Sequence, residues 1–412
     1  MIAYKEYFLE NGLQLIVHKD ASSPMVAFNL LYKVGAKNEQ ESRTGFAHLF
    51  EHLMFGGSVN IPSFDGPLQE VGGENNAFTS NDLTNYYMHL PKESLETAFW
   101  LESDRMLALA FNPKSLEVQR QVVIEEFKQR YLNQPYGDVY LLLRPLAYLK
   151  HPYKWATIGK DISHIEEANM EEVKAFFYKF YRPNNAILSV VGDVDPEEIF
   201  SLTQKWFGPI ESGEAVKNDY LHEEVQVQER TLTVERDVPL DAIYKAYHMP
   251  ERLHPDFYAT DLITDILSLG NSSRLYRRLV KEKSLFNDLN AYITGDIDPG
   301  LLIIAGKLNP GVEMNLAEKA IEDELQKLVN ELVPEEELQK VKNKMQAAYE
   351  FGQTTILNKA MALAISAFID RAELVNEEIE SYKKVDVQQI QQVAKELFRK
   401  ENCSTLYYKA KK

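Results

Sequence analysis

Cysteine is almost missing: Cys403 is the single cysteine in 412 residues, so no disulfide can close within the chain and thiolate-rich metal sites are excluded. Any bound metal must be held by His, Asp and Glu. No run of about 18 apolar residues occurs either, which removes the pattern of a membrane-spanning helix. Positive charge is in deficit, 45 Lys and Arg against 62 Asp and Glu, and the net charge of −17 argues against nucleic acid or an anionic membrane as a partner. Such a surface suits basic peptides, or is simply well solvated. The stretch Met1–Glu10 has neither a basic start leading into an apolar run nor an Arg-rich, acid-poor character. The cytoplasm is the expected compartment, with a processed periplasmic product as the alternative.

What is present is ample material for a core: 45% of the residues are hydrophobic and 11% aromatic, and a chain of this length is expected to form two domains of roughly 200 residues. Gly208-Pro209 opens a polar, acidic stretch without apolar period that runs to about Glu224. This places a domain at 1–212, a linker at 213–223 and a second domain at 224–412. In the first half, strands are expected at Leu13–Val17, Met25–Val34 and Asn184–Asp193, with a strand pair across 72–90. Helices are expected at 94–110, 113–131, 170–181 and 196–207. The second half offers strands at 230–238, 242–249 and 301–308, helices at 255–269 and 315–332, and a long helical stretch at 335–363. A further helix and a strand at 404–408 close the chain. The order repeats between halves, which suggests duplication and an α+β class. Two such halves facing each other would enclose a cavity.

The stretch Gly45–Phe55 carries the chemistry. On a helix, His48 and His52 stand four apart on one face with Glu51 beside them, while Phe46, Leu49, Phe50, Leu53 and Met54 occupy the rest of the circumference. A lone buried histidine usually bonds to backbone. Two imidazoles at this spacing can share one Zn²⁺, and the adjoining carboxylate can act as general base on water polarised by that ion. A third ligand is to be sought at Glu125-Glu126, acids beside the apolar face of the helix 113–131. The Gly-rich stretch Gly72–Ser80 reads as an exposed sheet edge able to pair with an extended peptide, or as an ordinary hairpin. The counterpart of the His-bearing helix in the second half, Ala259–Gly270, has no histidine.

His-x-x-Glu-His, followed by a Glu within Arg120-Gln121-Val122-Val123-Ile124-Glu125-Glu126, resembles the inverzincin pattern. With Gly-Gly-x-x-Asn-Ala-x-Thr at 72–79, Glu102–Met106 and Ser273-Arg274-Leu275-Tyr276, nearly the whole chain resembles the pitrilysin family, and within it the mitochondrial processing peptidase subunits and their bacterial relatives. The resemblance implies a two-domain α+β metallohydrolase fold, each domain a mixed sheet packed on helices, closing like a clam around a chamber. It implies one Zn²⁺ per chain on His48, His52 and Glu126, with Glu125 as the alternative third ligand. Glu51 would be the general base, and Asn76, Ala77 and Phe78 the edge strand that receives the substrate peptide.

Two positions depart from the family. Gln119 stands where an acid often supports the zinc site. Val280 and Asn287 stand where active members carry an Arg and a Tyr; neighbouring Lys281, or Tyr292 further on, would have to replace them. The expectation is a zinc metalloendopeptidase for short or unfolded peptides, paired with a homologous subunit that lacks the zinc motif and supplies the Arg and Tyr. The alternative is a non-catalytic assembly subunit.

Overall fold

Segments rich in Val, Ile, Leu and Tyr collect into two separate sheets. The structure, a computed structural model, describes residues 1–217 and 219–411, so Asn218 of the expected linker and Lys412 of the expected second domain lie outside the described residues. The first sheet contains β1 (Lys5–Phe8), β2 (Gln14–Lys19), β3 (Met25–Tyr32), β4 (Glu74–Thr79), β5 (Thr84–Pro91) and β6 (Ala186–Gly192), in the order β1-β2-β6-β3-β5-β4. The second contains β7 (Arg230–Arg236), β8 (Ala242–His248), β9 (Phe286–Ile293), β10 (Leu301–Leu308) and β11 (Cys403–Ala410), in the order β7-β11-β8-β10-β9.

Without β1 the two sheets have one topology. β2 and β6 are parallel, as are β7 and β11, and every other neighbouring pair is antiparallel. Both are therefore mixed sheets packed with helices, the α+β class expected. β3 lies in the interior of its sheet and is buried from Val26 onward, which explains its nearly unbroken apolar run. β9 carries Asn287, Asp288 and Asn290 among its apolar residues without a strict alternation, and this polarity hid it from the sequence reading.

The compact units are not contiguous. One comprises Met1–Gln129, Trp155–Leu221 and Glu350–Glu377, the other Arg130–Lys154, His222–Tyr349 and Glu378–Lys412. Each half of the sequence thus gives a helix to the other half's sheet. The helix Val139–Ala147 packs Val139, Leu143 and Ala147 with Ala242, Tyr244, Leu406 and Tyr408 of the second sheet. The helix Ile356–Ile369 packs Ala360, Leu363, Ala364 and Ala367 with Ala27, Leu31, Ile187 and Val191 of the first. The long helical stretch expected at 335–363 is divided into two helices, Glu335–Gly352 and Ile356–Ile369. Thr355 takes extended backbone, and its side chain caps the second by accepting from the Asn358 N–H at 3.3 Å.

Candidate metal centre

The helix Phe46–Met54 starts at Gly45, whose φ of 89° is left-handed and whose absent Cβ would lie 2.5 Å from the Ile158 carbonyl oxygen. Only glycine fits there. Phe46, Ala47, Leu49, Phe50, Leu53 and Met54 are buried, and Phe50 stacks on Phe176 and Tyr181 with ring centroids 5.2 and 5.1 Å away. Aromatic packing on one side fixes the rotation of the helix. The remaining stripe of His48, Glu51 and His52 then faces Glu126, near the end of the helix Pro113–Phe127.

His48 Nε2 lies 3.1 Å from Glu126 Oε2, His52 Nε2 lies 3.3 Å from the same oxygen, and the two imidazole nitrogens are 3.3 Å apart. Ligand atoms bound tetrahedrally to zinc at about 2.0–2.2 Å stand roughly 3.3–3.5 Å from one another. The three donors are thus already spaced for one ion, and among the described residues they form the group of His, Cys, Asp and Glu able to hold a metal. The donor set, two imidazoles and a carboxylate on partly buried side chains, fits zinc.

Burial disfavours charge on His48, but its contacts with Glu126 and Glu51 outweigh that and push its pKa up to about 9. Those carboxylates act on the ring from both sides. For Glu51, burial works towards the neutral acid, and His48 and Thr79 overcome it, holding the carboxyl below its ordinary value. Thr79 Oγ1 donates to Glu51 Oε2 at 2.6 Å, and His48 Nδ1 stands 3.5 Å from the same oxygen. Glu39 was not singled out from the sequence. It is buried and accepts from the backbone N–H groups of Gly45 and Ala47 at 2.9 and 2.8 Å, and burial drives its carboxyl up to about 8 against those bonds.

The other expected positions are distributed as follows. Glu125 is exposed and accepts from Lys128 Nζ at 2.7 Å, so of the two acids it is Glu126 that meets the histidines. Gln119 lies half-buried on the same helix, two turns before Glu126. Asn76, Ala77 and Phe78 lie on β4, the edge of the first sheet, where Ala77 N–H bonds to its neighbour's Asn76 Oδ1 at 2.8 Å. Thr79 ends that strand. It belonged to a motif in the sequence, but nothing there assigned it the bond to Glu51.

In the second unit, Val280 lies on the π-helical turn Tyr276–Glu282 and packs against the core, while Asn287 is exposed on the edge strand β9. Lys281 Nζ lies 5.5 Å from the Tyr276 ring centre, and the Tyr292 hydroxyl pairs with that of Tyr140. Ser284, between that turn and β9, adopts a left-handed φ of 51°.

Comparisons with known proteins agree with this layout. Residues 14–143 match the family model described as Insulinase (Peptidase family M16), and residues 167–345 match that of the Peptidase M16 inactive domain. The chain is 32% identical over 347 residues to the zinc protease PqqE of Helicobacter pylori, covering 83% of this chain and 78% of that one. It is 25% identical over 313 residues to a probable mitochondrial-processing peptidase subunit beta of Schizosaccharomyces pombe, 71% of this chain and 66% of that one. The crystal structure of a protease from Helicobacter pylori superposes with a TM-score of 0.94 at 29% identity, over 99% of this chain and 100% of the other. No helix among the described residues is long and apolar enough to cross a membrane.

Proposed function

Because the chain belongs to peptidase family M16, we propose that it is a zinc-dependent endopeptidase acting on short or unfolded peptides, with His48, His52 and Glu126 as metal ligands and Glu51 as general base. The observation that carries this reading is the convergence of three donor atoms at 3.1–3.3 Å, two imidazoles and a carboxylate, with a second acid, Glu51, beside them. When bound, Zn²⁺ supplies Lewis acidity toward water and the scissile carbonyl. Glu51, held ionised and aimed by Thr79, takes the proton from the attacking water and returns it to the leaving amine. Asn76, Ala77 and Phe78 on the edge strand β4 lie where a peptide can add as another strand, its carbonyl replacing Asn76 Oδ1 as acceptor for the Ala77 N–H. Only an extended segment can do so, which favours short or unfolded substrates.

The second unit supports a partner. With Val280 and Asn287 in place of the family's Arg and Tyr, this chain has no cation and phenol there to stabilise the tetrahedral intermediate. A homologous subunit without the zinc motif would provide them, and the chain then acts as the zinc-bearing member of a heterodimer. Full peptidase activity from the purified chain alone would refute the need for a partner. For the zinc site, the test is Glu51→Gln, expected to lower hydrolysis by about 10²–10⁴-fold while zinc content stays at one per chain. Retained cleavage with a chelator-sensitive control would remove Glu51 from the mechanism.

A further inference from the structure

We propose that Glu39 is a positioning residue for the candidate metal centre, its buried carboxyl group fixing the first turn of the His48 helix against the hairpin formed by β4 and β5. The proposal rests on the zinc-peptidase reading. Gly45, the residue before the helix, has no side chain to cap it and no room to carry one. Glu39 does this from the preceding loop at 8% exposure, accepting from Gly45 and Ala47 with its two oxygens. His48 follows Ala47 directly. The turn that Glu39 holds is therefore the turn that carries a ligand.

The loop itself is fastened to the hairpin. Ala36 N–H donates to the Ser80 carbonyl at 3.1 Å and Lys37 N–H to that of Asn81 at 2.8 Å. Lys37 Nζ forms a 2.7 Å ion pair with Asp82, both side chains buried, and Trp155 Nε1 donates to the Ala36 carbonyl at 3.0 Å. Next to Ser80 stands Thr79, which holds Glu51. Contacts thus run in a closed circuit from Glu51 through Thr79 and the hairpin turn to Ala36–Glu39, and back to the helix one residue before His48. Breaking that circuit at Glu39 lets His48 and Glu51 shift against Glu126 and Thr79 without removing any of them.

Glu39→Gln keeps the size of the side chain but sets an N–H₂ donor against a backbone N–H, whereas Glu39→Asp keeps both acceptors on a shorter arm. In the full chain, Glu39→Gln is expected to weaken zinc binding about 10-fold or more in competition with a chelator. It should also alter the visible absorption of the cobalt-substituted protein and lower kcat with KM unchanged, with Glu39→Asp recovering part of each. A folded Glu39→Gln with wild-type zinc affinity and cobalt spectrum would overturn the proposal. If Glu39→Gln does not fold, the cobalt spectra of Glu39→Asp and Lys37→Gln decide: shifted bands support it, and wild-type bands in both overturn it. A wild-type chain that takes up neither zinc nor cobalt overturns the zinc reading itself, and the proposal with it.

Discussion

Two helices occupy corresponding places in the two units and do different things. Phe46–Met54 follows β3 and packs beside the edge strand β4; Phe257–Ser268 follows β8 and packs beside the edge strand β9. Both are apolar around most of their circumference and both keep a polar stripe with two groups four residues apart: His48 and His52 in one, Asp261 and Asp265 in the other. In the first, the stripe faces Glu126 and its donor atoms converge. In the second, Asp261 accepts from the Tyr382 hydroxyl at 2.5 Å, and Asp265 is pushed up to about 7 by burial and by Asp261, with Lys344 opposing. The shared scaffold delivers a polar stripe beside a sheet edge; in one unit it meets Glu126 and forms a group able to hold a metal, and in the other it meets Tyr382.

The sharpest way to break the comparison is to damage both stripes. His52→Ala is expected to reduce zinc content and peptide hydrolysis to background, while Asp261→Asn leaves metal content unchanged; metal analysis of both variants checks this. Loss of zinc in Asp261→Asn would show that the second stripe is not independent of the first.

Next in size is a pair of glycines at the two helices. Gly45→Ala forces a side chain into left-handed backbone and against the Ile158 carbonyl, and should cost about 3 kcal/mol in denaturant unfolding. Gly270→Ala has a similar φ of 84°, but its Cβ would meet only Lys344 Nζ at 3.8 Å, so a cost of about 1 kcal/mol is expected. Equal costs would mean that the close approach at Gly45 relaxes freely.

The smallest effect belongs to Asp265. Its folded pKa lies above its unfolded value, so the native state holds a proton that the unfolded chain has lost. Stability from this group is fully present below about pH 4 and is lost as pH rises to about 7. Asp265→Asn should therefore flatten that decline and stabilise the protein at pH 8 by about 1 kcal/mol, allowing for partial solvent screening. Thermal unfolding of both proteins between pH 5 and pH 8 would show the slope; parallel curves would contradict it.

Much of the metal centre could be read from the chain because its constraints are local. The apolar positions around His48, Glu51 and His52 leave one stripe, and helical spacing puts the three on it whatever the rest of the fold does. Glu126 came from the family pattern; it lies against His48 and His52, while Glu125 turns outward to Lys128. Glu39 was missed because a glutamate in a charged loop reads as solvated, and only tertiary packing buries it beneath the helix. The break at Gly352–Thr355 was missed because apolar periodicity resumes at Ile356. Amphipathic patterning also shows that Val139–Ala147 and Ile356–Ile369 bury a face without showing against which sheet.

The exchange of those two helices also orders events in time. Every ligand of the candidate metal centre has been synthesised once Glu126 is made, but the face of the first sheet that displays Ala27, Leu31, Ile187 and Val191 receives its cover only with Ile356–Ile369. On an emerging chain that sheet waits, apolar and half-clad, through the whole second sheet's strands up to β10. The unit that holds the candidate metal site begins first, yet its sheet is covered only after β7 to β10 of the other unit have been made, and before β11 completes that unit.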